Sequence, residues 1–141
     1  MNNAEKKFDE IPIGEKAVFS VNITEELVGE FARLSGDANP LHMDEKYAET
    51  TVFKKRVAHG MIGGCLFSRL VGMHLPGKNC LYLSQTLNFK KPIFIGTEVE
   101  VAGEVINKNN AFKTLEIATQ ISDIESGEKL IEGKALVKLL Q

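Results

Sequence analysis

Apolar and polar residues alternate from Lys16 to Asn22, with Ala17, Phe19 and Val21 on one side, and this period of two predicts a first strand. Thr24 then stands where a helix N-cap belongs, and Glu25 and Glu26 suit the positive end of a helix dipole. Leu27, Val28, Phe31 and Leu34 follow at helical spacing until Gly36 closes the run. Asp44 can cap a second, short helix through Ala48, weakened at its end by the β-branched Thr50, Thr51 and Val52. From His59 to about Leu75, apolar side chains including Ile62, Cys65, Leu66, Phe67, Leu70 and Val71 point almost all around a helix, which predicts a buried one. Gly60, Gly63, Gly64 and Gly72 lower its helix propensity and make sense where something packs close against its backbone.

Alternation returns after the Pro76-Gly77 turn. Leu81 to Phe89, Thr97 to Asn107, Phe112 to Ile121 and Lys129 to Leu139 read as four further strands, clearest at Val99, Val101, Gly103, Val105 and at Leu115, Ile117, Thr119, Ile121. The turns between them are short, which implies antiparallel neighbours. A five-stranded antiparallel sheet wrapped around one apolar helix buries both, so the expected class is α+β. Residues 1–12 read as a polar N-terminal extension and 13–141 as a single domain.

Composition narrows the function. At 43% apolar and 26% charged residues the chain has the balance of an ordinary globular protein, and a net charge of −2 argues against a nucleic-acid partner. The N-terminal MNNAEKKFDE lacks the apolar stretch of a signal peptide, and no run reaches membrane-spanning length, so no membrane partner and a cytoplasmic location are expected. Cys65 and Cys80 have no metal-ligand spacing and read as reduced thiols, Cys65 serving as a small apolar residue of the buried helix. The glycines of that helix match neither dinucleotide nor nucleotide signatures.

One stretch goes beyond packing. In FARLSGDANPLHMDEKYA, Phe31 to Ala48, the helix ends at Ser35-Gly36, Asp37 follows at once, Asn39-Pro40 forces a turn, and His42 arrives five residues after the acid. A carboxylate and an imidazole on one short loop can hold a water between them and move its protons near neutral pH. Taken singly, Asp37 is more often a turn residue and His42 a surface or core histidine. The clusters Lys54-Lys55-Arg56 and Lys90-Lys91 are ordinarily solvated surface, and His74 sits at a helix end where a cation is favourable.

The same stretch resembles the signature of the MaoC-like hydratases, the (R)-specific or type 2 enoyl-CoA hydratases. The match runs through Phe31, Ser35, Gly36, Asp37, Asn39, Pro40, Leu41, His42 and Ala48, without a departure. His59-Gly60-Met61 looks like the opening of that family's central helix, with Leu66-Phe67-Ser68 inside it, and Asn88-Phe89-Lys90-Lys91-Pro92 with Gly96 is similar to its later strand and turn. The resemblance spans about Ile13 to Leu140 and implies the hot-dog fold, a curved antiparallel sheet around a long helix. It implies reversible hydration of trans-2-enoyl-CoA to (R)-3-hydroxyacyl-CoA with no metal or redox cofactor, by a homodimer whose acyl tunnel lies near the central helices.

Under that resemblance Asp37 and His42 activate the water and the backbone N–H of Gly60 is the oxyanion donor, since a helix start offers free N–H groups and a glycine admits the thioester closely. Asn39 holds the loop or orients substrate, and Ser68 reaches back to orient Asp37. His59 contacts substrate or hydrogen-bonds a neighbouring strand, while Lys54, Lys55, Arg56, Lys90 and Lys91 are candidates for the CoA phosphates. A dehydratase working on an acyl carrier protein or a specialised acyl-CoA would keep the same pair. A thioesterase fits less well, and a catalytically silent acyl-CoA-binding module would be expected to have lost Asp37 or His42.

Overall fold

The computed structural model describes residues 3–140, leaving Met1, Asn2 and Gln141 outside. Strand β1 is Lys16–Asn22, as the alternation predicts, and helix α1 is Glu25–Ser35. Thr24 Oγ1 accepts the Leu27 N–H (3.1 Å) at its start. At its end Gly36 takes the left-handed conformation (φ 79°) that lets its N–H reach Ala32 O. A four-residue helix α2, Pro40–Met43, is not foreseen by the periodicity, which is too short to register there. Asn39 caps it by accepting the Leu41 N–H (2.9 Å), with Pro40 in the first turn. Helix α3, Glu45–Thr50, is capped by Asp44 as expected.

The central helix α4, Ile62–Arg69, runs on through a wider π turn at Leu70–His74, where Leu75 N–H donates to Leu70 O (2.8 Å). The later strands are β2, Cys80–Gln85; β3, Asn88–Phe89; β4, Glu98–Asn109; β5, Thr114–Asp123; and β6, Lys129–Leu139. All pairings are antiparallel in the order β1-β4-β5-β6-β2, with β3 also on β6. The sheet thus has the five expected long strands and a sixth of two residues. The run read as one strand from Leu81 to Phe89 is divided because the Thr86 side-chain hydroxyl accepts the Lys134 N–H (2.9 Å), interrupting the main-chain ladder.

Inward-facing residues of the sheet close over α4. Phe67, Ile62 and Leu70 pack with Val99, Val101, Ile121 and Ile131, while Val71 and Leu75 pack with Val105, Leu115, Ile117 and Val137. Gly63 gives the close approach its sequence position suggests: a Cβ there would stand 2.5 Å from Ile131 Cδ1. Two expectations need correction. The segment read as a polar extension buries Phe8 and Ile11 in the second of these clusters, so its apolar residues belong to the core. The central helix is not covered all round: Met61, Cys65, Ser68 and Arg69, spaced along one stripe, are exposed, Cys65 among them. Both cysteines are free thiols. No described helix is long and apolar enough to cross a membrane.

A polar chain crosses the inner face beside β2. Tyr82 Oη donates to Gln85 Oε1, and Gln85 Nε2 donates to Thr119 Oγ1 (2.9 Å) and Thr86 O (2.8 Å). Burial, with Cys80 nearby, pushes the Tyr82 phenol from its ordinary 10 up to about 12. The folded state therefore favours the neutral phenol, a contribution complete below pH 10 and lost as the pH rises from 10 to about 12. Tyr82→Phe leaves Gln85 Oε1 without its donor and should cost about 1–2 kcal/mol in urea unfolding at neutral pH. The variant should also lose stability less steeply than the parent between those two pH values, and parallel curves would contradict this account.

Candidate active site

The loop between α1 and α2 is braced at nearly every polar atom. Ser35 Oγ donates to Phe31 O (2.7 Å) and accepts the Asp37 N–H (3.1 Å). One carboxylate oxygen of Asp37 accepts the Asn39 N–H (3.2 Å), the local turn bond that its spacing allows, and the other is uncommitted. Asn39 is spent on capping α2, so its place is in holding the loop. This loop lies on the surface of the single chain, with Asp37 exposed and His42 half-buried.

His42 is set by the strand-like segment that precedes the central helix. Its Nδ1 lies 2.6 Å from Val57 O. A carbonyl only accepts, so Nδ1 carries the hydrogen and Nε2 is left as the lone-pair nitrogen. Arg56 Nε donates to His42 O (2.6 Å) while its guanidinium pairs with Glu25 on α1 (2.5 Å). Arg56 therefore braces the loop, joining it to α1. Nothing in the sequence signals this brace, because its partners lie 14 and 31 residues away.

Asp37, His42 and His59 converge: a carboxylate oxygen and one ring nitrogen from each histidine lie within 4.8 Å of one another. The two imidazoles pack against each other in a tilted arrangement, with centroids 4.0 Å apart and planes inclined by 35°. His59 hydrogen-bonds the loop carbonyl of Asp37 through Nε2 (2.8 Å), not a neighbouring strand. Ser68 is exposed, and among the described residues no hydrogen bond joins it to Asp37.

Beside the pair lies a cleft of about 420 Å³, lined by His42, Gly60, Met61, Phe89, Lys90 and Lys91 among others. The N–H groups of Gly60 and Met61 donate to no group among the described residues, so both are free at the start of the central helix. Phe89, which the sequence offers only as part of a strand, packs over Gly60: a Cβ on that glycine would stand 2.9 Å from its ring. Lys90 and Lys91 line this cleft while pairing with Glu132 (3.8 Å) and Glu128. Lys54 is exposed, and Lys55 lies over the Phe94 ring (4.2 Å). A larger concavity of about 550 Å³ lies away from the pair, along β1, β4, β5 and β6, where lysines, glutamates and small residues offer no comparable acid–imidazole pair.

An antiparallel sheet packed over a central helix, with an acid–imidazole pair beside free helix-start amides, is the fold and site of a protein built for proton transfer. The chain belongs to the MaoC like domain family, which matches residues 8–126. It is 42% identical over 133 residues to an (R)-specific enoyl-CoA hydratase of Aeromonas caviae, covering 92% of this chain and 96% of that one. A 3-hydroxybutyryl-CoA dehydratase of Methylorubrum extorquens is 36% identical over 94% of this chain and 83% of its own length. Among solved structures, an unliganded R-hydratase from Pseudomonas aeruginosa superposes with a TM-score of 0.89 at 37% identity, covering 94% of this chain and 84% of that one.

Proposed function

We propose that the chain is an (R)-specific enoyl-CoA hydratase, adding water reversibly to trans-2-enoyl-CoA. The observation that carries this reading is the separation of the Asp37 carboxylate and the His42 ring nitrogen, within 4.8 Å. One water making two ordinary hydrogen bonds spans about 4.5–5 Å, so the two groups lie close enough for a single water to serve both. Asp37 and His42 polarise that water against the β-carbon, and the same centre returns a proton to the α-carbon on the same face. Charge developing on the thioester oxygen meets the free N–H of Gly60. This chemistry asks for no metal and no redox cofactor.

The cleft lined by Lys90 and Lys91 suits the anionic end of CoA, and the exposed Lys54 and Lys55 offer further cations on the surface. The uncovered stripe of the central helix and the exposed Leu81 and Leu83 on the edge strand β2 support a homodimer. The test is the disappearance of conjugated enoyl-thioester absorbance on adding crotonyl-CoA, with the product passed to an R-selective dehydrogenase. Turnover to the R product is expected. A chain inert toward crotonyl-CoA and longer enoyl-CoA substrates would sink this reading.

A further inference from the structure

Among the described residues, His59 and Thr119 are the buried polar side chains, and Thr119 has its partner in Gln85. His59 is only 2% exposed and takes no part in the chemistry above. Its Nε2 stands 2.8 Å from the main-chain oxygen of Asp37, an atom that can only accept, so the hydrogen sits on Nε2. Its Nδ1 is enclosed with no partner. A polar atom buried this way is unfavourable and uncommon. The ring packs against Phe31 (centroids 4.8 Å) and against His42 (4.0 Å), tilted to each. A phenyl ring would fill this space without an orphaned nitrogen, but it could not donate to Asp37 O.

We propose that His59 is the positioning residue of the Asp37–His42 pair, a reading that rests on the function proposed above. Its Nε2–H pins the main chain at Asp37, and its ring, packed against that of His42, limits how His42 can turn. Other braces serve one partner each: Ser35 and Asn39 hold Asp37, while Val57 and Arg56 hold His42. His59 alone among these touches both, and so fixes the gap in which the water must sit. A displacement of about 1 Å at a reacting centre costs on the order of 100-fold in rate, which is the leverage this contact has.

The experiment compares His59→Gln with His59→Phe. Glutamine can bring an amide N–H to where Nε2 stands, whereas phenylalanine keeps the ring and loses the donor. His59→Phe should lower kcat about 10- to 100-fold with KM nearly unchanged, and His59→Gln should recover most of that loss. His59→Leu replaces the phenylalanine variant if that one does not fold. Wild-type kcat in the apolar variant, or a glutamine variant that melts normally yet is as slow, would overturn the proposal. Imidazole nitrogen NMR of the unmodified protein reads the contact without substrate: a slowly exchanging His59 Nε2–H is expected, and a hydrogen on Nδ1 instead would also overturn it. Absence of any turnover in the parent protein counts against the hydratase reading, and the NMR result then decides the clamp by itself.

Discussion

Asp37→Asn should lower kcat on crotonyl-CoA by about 10³-fold while leaving the melting temperature within a degree or two, the range expected when a general acid–base group is lost. The fold should tolerate the change because asparagine keeps an oxygen for the Asn39 N–H, now at 3.2 Å from the carboxylate. The loop's other braces, from Ser35 to the Asp37 N–H and from His59 to the Asp37 carbonyl, use main-chain atoms that the substitution does not touch. What the amide cannot do is take a proton from a water shared with His42. KM should move little, since the proposed binding contacts come from the Gly60 amide and the lysines of the cleft. A loss smaller than tenfold would move the acid–base role away from Asp37.

Gly133→Ala should be the most destabilising single methyl in the sheet. A Cβ at Gly133 would lie 1.8 Å from Thr86 O and 2.8 Å from Thr86 C, main-chain atoms that no rotamer change can move aside. Thr86 is tied to Lys134 twice, its N–H donating to Lys134 O (3.0 Å) and its hydroxyl accepting the Lys134 N–H. Forcing these apart breaks the link between β2 and β3 and disturbs the Tyr82–Gln85–Thr119 chain. The expected cost is about 3 kcal/mol or more, a fall of roughly 10 °C in Tm for a domain this size. Gly29→Ala is the control: it lies within α1, meets nothing within 4 Å, and should stabilise by about 0.5–1 kcal/mol. Equal melting temperatures for the parent and Gly133→Ala would show that the crowding is relieved cheaply.

Local rules account for what could be read from the chain. The ends of β1 and β6, the Thr24 and Asp44 caps and the Gly36 stop were legible because each depends on side chains within a few residues of one another. The Asp37–His42 pair was legible for the same reason, lying on one braced loop. Its resemblance to a family then supplied the reaction, which spacing alone did not.

Contacts between distant segments were not legible. Arg56 reads as one cation in a cluster, yet it reaches Glu25 and His42, and Phe89 reads as a strand residue, yet it lies over Gly60. Cys65 read as buried because apolar content does not say which face of a helix a neighbour covers. Phe8 and Ile11, set among charged residues, gave no periodic signal, yet the core recruits them. Sequence by itself thus determined the elements, their caps and the acid–imidazole loop, since hydrogen bonding and period act over one or two turns. Tertiary structure decided the division of β2 from β3, the enclosure of His59 between Phe31 and His42, and which amides stand free beside them. Those outcomes depend on side chains brought together across tens of residues, where only the packed fold sets the distance.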